Sequence, residues 1–580
     1  MPATTPARPS RILRGLSFGG HGLLAVAAAT VALPGSGHAQ LAPGSGGDST
    51  LPATGTNVRL GDLRQQVEAL VRPPLLPAAG APAFIIIPSI GGSLGLTDNA
   101  RGVTGTSPDV FALLTPSVSA TVDTARIKGT LNYTPQASVY AATSGRNYID
   151  QNLTANALGT VVPNAVFVDM RASISEQART GALSSFGGLT TPAGDRTQNT
   201  AVVITPYAVH RFGGLGTAQV SYGLSYTADS GNTGNGANNF FNNNFTNLNN
   251  TAINTAPFGS GNTYNPYFAN QNVFTNHERA QFTTGENLGR INAEIAADAK
   301  QFSGNGIYQG AYRNLVTLDG AYALDRQVAI IGRVGYEALH YGGVPPFSVS
   351  GPVWYAGFRW EPNADSTIVA RYGRRDGIDS AYIDATYAPT ANTKFFATYS
   401  AGLTSEAEEQ QSLLALANFD PGGFATSAGT GAPLADTGSF FGEQNTLYVL
   451  RRFSATGVLL RPRDTYSVTV THETQHVVAG SSALAGGNAT DGTFGSISWS
   501  HALSPKLSSL ASLQYGVNRP LQVLGVSQDT LITANAALSY SISPTLTTSL
   551  SYIFTNRSGS GANNRGFTED ILLVGFQKGF

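Results

Sequence analysis

The stretch that most resembles a catalytic motif is His472-Glu473-Thr474-Gln475-His476, which has the H-E-x-x-H spacing of zinc proteases. That spacing binds one metal only on an α-helix, where residues four apart lie on the same face, about 6 Å from each other. Here the motif continues the alternation Tyr466, Val468, Val470, which is typical of a β-strand. On a strand the two histidines would lie about 13 Å apart, so we predict no zinc site.

The remaining histidines form no second motif of this kind. His210, His277, His340 and His501 are scattered along the chain without a recognisable nucleophile or acid partner. The chain contains no cysteine, which excludes disulfides and thiolate metal sites. We therefore expect neither an enzymatic reaction nor a cofactor.

Charged residues fall at alternate positions of predicted strands. Trp354, Phe358 and Trp360 share one face, so Arg359 and Glu361 share the other. The same phase on neighbouring strands predicts a polar track on one side of a sheet, made of Arg313, Asp319, Arg333, Glu337, Arg359, Glu361, Arg371, Arg375 and Asp384. This track is either a network of ion pairs that stiffens the sheet or a path for a hydrated solute.

The elements that must position this track are β-strands throughout. From Ile532 to Ile542, and again after a turn at Pro544, every second residue is apolar. The sequence contains about 22 such segments, an even number, and predicts an all-β fold: a transmembrane antiparallel up-and-down β-barrel. Its final strand resembles the closing strand of bacterial outer-membrane barrels, and we expect the barrel-insertion machinery to recognise it through Leu572, Val574, Phe576 and Phe580.

Composition also favours a barrel in lipid. Charged residues make up 12% of the chain, about half of the ~25% usual in soluble domains, and the mean hydropathy is close to zero. The formal net charge of −1 argues against a nucleic-acid partner. Because a charge at the lipid midplane costs about 2–4 kcal/mol, the polar track must face the lumen. Aromatic residues on the other face are predicted to form the interfacial belts, rather than sugar-stacking platforms: Trp354, Trp360, Tyr372, Tyr387 and Tyr399.

The N-terminal region predicts export. Arg8, Arg11 and Arg14 precede an apolar stretch, and Gly37-His38-Ala39 offers small residues at a cleavage site, so residues 1–39 are predicted to be a signal peptide. Residues 40–82 are rich in Gly, Pro, Ala and Ser and predict a short periplasmic linker, disordered or helical. A short amphipathic helix at its centre would rest on the barrel rim or plug the lumen, because these residues have helical spacing: Leu60, Leu63, Val67, Leu70 and Val71.

The barrel itself is predicted to span residues 83–580, and its connections predict its orientation. Short turns such as 325–326 and 543–545 are expected at the periplasmic end, and the long loops 178–197, 229–275 and 403–442 outside. A barrel of about 22 strands is wide and usually needs something in its lumen. The linker is too short for a plug domain, so we expect the Asn-rich loop 229–275 to fold inward.

Several aromatic and glycine-rich strand patterns resemble a known family, the outer-membrane barrels associated with PEP-CTERM/exosortase exopolysaccharide systems. The resemblance covers roughly residues 85 to 580, and the Asn-rich loop is an expansion beyond the family pattern. Its motifs are Leu94-Gly95-Leu96-Thr97-Asp98-Asn99, Phe167-Val168-Asp169, Gly335-Tyr336-Glu337, Gly351-Pro352-Val353-Trp354, Gly357-Phe358-Arg359-Trp360-Glu361-Pro362 and Arg371-Tyr372-Gly373-Arg374-Arg375.

What the resemblance implies is a barrel in the outer membrane that takes part in exopolysaccharide export or assembly, with outer-membrane lipid, the polymer and periplasmic export components as partners. Two other functions remain open at this stage. One is a general porin or specific solute channel, and the other is a structural or adhesive surface barrel whose loops do the work.

Overall fold

A computed structural model describes residues 63, 64, 70, 82–102, 104–178, 196–231, 272–419, 425–427, 446–480, 489–519, 526–561 and 566–580. The predicted signal peptide 1–39, most of the predicted linker 40–82 and residues 232–271 of the Asn-rich loop lie outside this part of the chain.

Nearly all of the described chain is β-strand. The first half contains β1 (Phe84–Thr97), β2 (Asp109–Asp123), β3 (Ile127–Tyr133), β4 (Gln136–Tyr140), β5 (Tyr148–Asp150), β6 (Leu153–Val162), β7 (Val166–Ala178), β8 (Arg196–Arg211), β9 (Gly216–Gly231), β10 (Asn272–Thr284), β11 (Ile291–Gly304), β12 (Tyr312–Ala323) and β13 (Val328–Tyr341). The second half contains β14 (Phe347–Asn363), β15 (Ser366–Arg375), β16 (Ile378–Thr390), β17 (Thr393–Thr404), β18 (Ala417–Phe419), β19 (Ala425–Ser427), β20 (Thr446–Leu460), β21 (Asp464–Gly480), β22 (Ala489–Ala502), β23 (Leu507–Arg519), β24 (Val526–Ser543), β25 (Leu546–Gly561) and β26 (Phe567–Gly579).

Helices are short by comparison. Within the described ranges, α1 spans Glu406–Leu416, and Leu63, Arg64 and Leu70 are also α-helical. The short 3₁₀ helices there are Ser144–Arg146, Gly213–Leu215, Glu286–Leu288 and Gly306–Tyr308. Among the described residues, no helix has the length and apolar character that crossing a membrane requires.

The strands form one closed antiparallel ring. β1 pairs with β2 on one side and with β26 on the other, where Ser89 lies opposite Gly579 and Thr97 opposite Ile571. β3 and β4 are two parts of one crossing, broken at residues 134–135, and β5 and β6 are two parts of the next. The ring therefore has 22 crossings, which confirms the predicted fold class.

Alternation along each strand separates two surfaces. On β13 and β14, Val334 lies opposite Trp354 and both side chains point outward, 59% and 41% exposed. The adjacent pair, Arg333 and Tyr355, points into the lumen. Because the ring is closed, the backbone N–H and C=O groups of its strands pair with neighbouring strands and none needs water. The apolar outer surface can therefore contact lipid, and the chain spans the bacterial outer membrane.

The predicted interfacial aromatics all lie on the outward face. Trp354, Trp360, Tyr372 and Tyr387 are exposed there, and Tyr399 lies opposite the outward Ile383. The strands turn tightly at the end that carries the start of β1 and the end of β26, which we take as the periplasmic end.

Candidate functional site

A segment of the chain lies inside the barrel. After β17 ends at Thr404, residues 405–419 continue through α1 into β18, which pairs with β19 at residues 425–427. We call the described residues 405–419 and 425–427 the lumen segment. The helix begins at Ser405, whose hydroxyl accepts a hydrogen bond from the Glu408 amide at 3.4 Å. Its polar side chains are buried because the barrel wall surrounds them: Glu406, Glu408, Glu409, Gln410 and Gln411.

This position corrects the sequence prediction. The connection 403–442 was expected to face outward, yet its first part turns back into the lumen. The loop 229–275, which we expected to fill the lumen, lies mostly outside the described residues, and its two ends extend β9 and β10.

One cluster of charges, around Arg313 of β12, holds the start of the lumen segment. The Arg313 guanidinium donates to the Leu403 carbonyl at 2.9 Å, lies 3.4 Å from a Glu408 carboxylate oxygen and pairs with Asp376. The Tyr341 hydroxyl donates to Glu408 at 2.8 Å. Asp376 also accepts from the amide of Leu403, near the end of β17, at 3.0 Å, so this cluster fixes the wall just before the segment as well as Glu408 within it.

Tyr308 adds a neutral contact beside this cluster. Its hydroxyl hydrogen-bonds the Ser405 hydroxyl from the short connection between β11 and β12. Burial away from water raises the pKa of Tyr308 well above its ordinary value, so the phenol keeps its proton and can donate.

A second cluster, around Arg452 of β20, holds the helix at Glu409, the residue after Glu408. The Arg452 guanidinium donates to Glu409 at 2.6 Å and to Glu473 at 2.5 Å. Arg452 and Glu473 are only 2% and 1% exposed. Gln475 donates to the other Glu473 oxygen at 2.7 Å, and the Tyr448 hydroxyl donates to Glu409 at 3.3 Å.

The H-E-x-x-H stretch therefore has a structural role on strand β21. His472 lies opposite the outward Phe453, whereas Glu473 lies opposite Arg452 inside the lumen. Because the glutamate and His472 are on opposite faces of the strand, they cannot act on one metal. The motif supplies one carboxylate to the cluster that holds the lumen segment.

The far end of the segment reaches the opposite wall. α1 packs against β7, β8 and β9, which lie nearly across the ring from β17 and β20. There Arg171 donates to the carbonyls of Ala417 at 2.5 Å and Leu414 at 3.3 Å. Thr130 donates to the Phe419 carbonyl at 3.0 Å, and Ala201 packs in an apolar cluster with this end of the segment. The segment thus crosses the width of the lumen.

A recess of about 880 Å³, counting the part that is open to water, lies where α1 meets the wall. Its lining is dominated by charges from both the wall and the segment: Lys300, Arg313, Glu337, Arg375, Glu408 and Arg452. A polar solute that reaches this recess meets groups that can replace part of its hydration shell.

Residues from the predicted linker contact the periplasmic end of the lumen. Leu63, Arg64 and Leu70 are helical, and both leucines are buried in an apolar cluster with wall residues that include Phe396 and Leu460. Lys394 donates to the Leu70 carbonyl at 2.9 Å. The described part of the linker therefore packs against the periplasmic end of the inner wall, and Arg64 donates to the carbonyls of Arg461 and Pro462 in the turn between β20 and β21.

Every residue of the predicted polar track lies on the inward face of β12 to β16. The structure brings only some of them together. Arg333 donates to Asp319 at 2.7 Å, and Arg359 lies 3.4 Å from Glu361. Glu337 accepts from the Gly377 amide at 3.2 Å.

The remaining track residues divide between the wall and the recess. Arg313 holds the lumen segment, Arg375 lies 4.0 Å from Asp376 and lines the recess, and Asp384 lies 3.5 Å from the Tyr382 hydroxyl. Arg371 lies over the rings of Tyr355 and Tyr382.

Sequence reasoning missed several residues of this site. Tyr355 and Tyr382 have the inward phase of Arg359 and Asp384, so the alternation could have identified them. The charges of α1 gave no such signal, because a short polar stretch between two strands reads as a solvated loop.

No family model matches the chain, and no curated protein is significantly similar to it. Solved structures of similar shape include the FrpB iron transporter from Neisseria meningitidis (12% identity, 85% of this chain and 82% of that chain, TM-score 0.45). The ferric enterobactin receptor PfeA from Pseudomonas aeruginosa is 11% identical over 85% of this chain and 80% of that chain, with a TM-score of 0.42. The ferric-catecholate import receptor Fiu from E. coli K12 is 11% identical over 85% and 81%, with a TM-score of 0.44.

Proposed function

We propose that this protein is an outer-membrane conduit for exopolysaccharide and that the lumen segment is its gate. The observation that carries the proposal is the way in which the segment is held. It crosses the lumen, and charged and polar contacts with the wall fix its helix: Arg313 with Glu408 and Arg452 with Glu409.

Such contacts suit a reversible gate. A hydrogen bond within a protein replaces a hydrogen bond to water, so its net contribution to stability is only about 0.5–1.5 kcal/mol, or about 1.5–3 kcal/mol when one group is charged. The charged groups at the start of the segment can be hydrated when it leaves the wall. Its far end also packs Leu413, Leu414 and Phe419 against Ala201, so opening exposes this apolar surface as well.

Two further features favour a polysaccharide as the solute. A ring of 22 strands is wide enough for a hydrated chain once the segment moves aside. The wall beside the segment carries the polar track, whose arginines and carboxylates can hydrogen-bond sugar hydroxyls. The resemblance of residues 85 to 580 to exopolysaccharide-associated barrels supports the same solute class.

A structural barrel with a permanently filled lumen is the second candidate. The observation that favours it is the near-complete burial of Arg452 and Glu473, because opening would have to hydrate a pair that is now dry. The two candidates differ in whether the segment ever leaves the lumen.

Conductance of the purified mature protein in planar bilayers distinguishes these candidates. We expect brief openings in the parent and long-lived large steps when residues 405–427 are replaced by a short Gly-Ser linker. Polysaccharide added to the open variant should block the steps. Deletion of residues 481–488 in another connection is the matched control and should leave the parent pattern unchanged. A silent parent beside a conducting deletion variant would favour the structural barrel.

Failure of the deletion variant to conduct would contradict the proposal. Heat-modifiable mobility on gels would first show that the variant is folded. Large steps that polysaccharide does not block would move the assignment to a general porin.

A further inference from the structure

The two histidines of the H-E-x-x-H stretch lie on the outer surface of the barrel and have no part in holding the lumen segment. His472 and His476 are exposed there, on either side of Thr474 along β21. Arg451 of β20 lies opposite Thr474 on one side, and Asp491 of β22 lies opposite it on the other. Alternate residues of a strand are about 7 Å apart and neighbouring strands about 5 Å apart, so these side chains can reach a common ligand.

Their position along the strand coincides with the outer boundary of the lipid. Near the periplasmic end of β21, Asp464 accepts from Trp499 Nε1 at 3.0 Å and lies 2.8 Å from His501 Nδ1. The outward side chains that follow on β21 are apolar and exposed: Tyr466, Val468 and Val470. Asp464 and Thr474 are ten positions apart, which is about 33 Å along a strand and about 25 Å across the membrane at a tilt of about 40°. That distance equals the height of the apolar band of such barrels, so Thr474 lies at the level of the outer headgroups.

The cations of this surface have donors to spare. Arg451 is exposed, and its guanidinium group forms no hydrogen bond or ion pair within the described residues. Arg519 of β23 lies opposite Asp491 and contacts it through one nitrogen at 3.3 Å, while its side chain is 65% exposed. His472 Nδ1 lies 2.9 Å from the Thr493 hydroxyl, which leaves Nε2 at the surface. These groups can therefore bind an anion from outside the protein.

Another outward arginine at the same end of the barrel is neutralised within the protein. Arg374, near the end of β15, forms an ion pair with Asp379 of β16 at 3.2 Å. On β20 to β23, by contrast, Asp491 faces two arginines and two histidines. Arginine binds phosphate through two parallel N–H groups, and histidine adds a further donor. Lipids of the outer leaflet of this membrane carry phosphate groups at the level of this surface, which makes them the ligand of complementary charge.

We propose that the outer surface of β20 to β23 binds the phosphate groups of an outer-leaflet lipid, such as lipid A, through Arg451, His472, His476 and Arg519. The acyl chains of the lipid then lie along Phe453 and Val470, which are exposed on the periplasmic side of the histidines. The site lies outside the barrel, so it does not depend on the proposed function of the lumen.

Native mass spectrometry of the purified mature protein in a neutral detergent tests this site. The probes are lipid A with its two phosphates and the same lipid after their removal. We expect the phosphorylated lipid to bind more tightly. Arg451→Gln combined with Arg519→Gln should weaken its binding by about 10- to 100-fold, the range for loss of a charge-assisted hydrogen bond. Arg451→Lys, which keeps the charge but loses the planar fork, should weaken it less than Arg451→Gln.

Two other variants sharpen the test. Arg374→Gln removes a paired arginine from the same end of the outer surface and is the matched control, so its lipid affinity should equal that of the parent. Asp491→Asn removes a carboxylate beside the proposed phosphate position and should strengthen binding several-fold, because a like charge is lost. Heat-modifiable mobility on gels shows that each variant is folded.

Three results would overturn the site. One is equal affinity for the two forms of the lipid, and another is unchanged affinity in the folded double arginine variant. The third is displacement of lipid A by an equal concentration of inorganic phosphate, which would assign the surface to a free anion instead of a lipid.

Discussion

Replacing Glu409 by glutamine should make the lumen segment leave the wall more often. Glu409 accepts from Arg452 at 2.6 Å, and glutamine keeps the size and one acceptor oxygen but removes the charge. Arg452 keeps its other partner, Glu473, on the neighbouring wall strand, so the barrel should stay intact. What is lost is one charge-assisted contact between wall and segment, about 1.5–3 kcal/mol.

That free energy sets the expected size of the effect. At about 1.4 kcal/mol for each factor of ten, the ratio of displaced to docked segment should rise by about 10- to 150-fold. Single-channel recording measures this ratio as open probability. Glu361→Gln is the matched control, because its partner Arg359 lies on the same strand, β14, and the change should leave opening unaltered. An unchanged open probability in a folded Glu409→Gln variant would refute the idea that this ion pair latches the gate.

Two further predictions concern the linker and the outer surface. Replacing both Leu63 and Leu70 by aspartate should speed trypsin cleavage after Arg64 by tenfold or more. The reason is that two apolar side chains lose their burial, which contributes about 1.5–3 kcal/mol each. Equal cleavage rates in the variant and the parent would show that the linker does not depend on this packing. Leu550→Arg places a charge on the lipid-facing surface and should lower the free energy of unfolding in lipid vesicles by up to about 2–4 kcal/mol. Ser549→Arg, on the inward face of the same strand, should change it little. Similar losses in both variants would contradict the assignment of Leu550 to the outer face and Ser549 to the lumen.

The barrel could be predicted from sequence because each strand alternates lipid-facing and lumen-facing side chains. Lipid on one side and water on the other impose the same alternation on each crossing, so Trp354, Arg359 and Trp360 suffice to set the phase of β14. The inward placement of the charged residues follows from that phase. The short turns between strands add a second independent signal, which is why the number of crossings could be counted.

The lumen segment could not be predicted for the opposite reason. Its helix is short and has no distinct apolar face. It is held in part by Arg313 and Arg452, which lie on strands distant from it in sequence or across a long connection. Neither arginine differs in local pattern from Arg333, which donates to Asp319 on the neighbouring wall strand. The Asn-rich loop 229–275 was predicted to fill the lumen because it is long. Loop length does not determine which side chains form hydrogen bonds or ion pairs with the inner wall.

The seam between β1 and β26 has a consequence for how the protein folds. Its partners, such as Ser89 with Gly579, are separated by almost the whole barrel, whereas every other neighbouring pair is joined by a much more local connection. Contacts of such high sequence separation form slowly, because the intervening chain must be ordered first. Until β1 pairs with β26, both are edge strands with unpaired backbone groups to which other chains can bind. The period before the barrel closes is therefore when this protein most needs a chaperone.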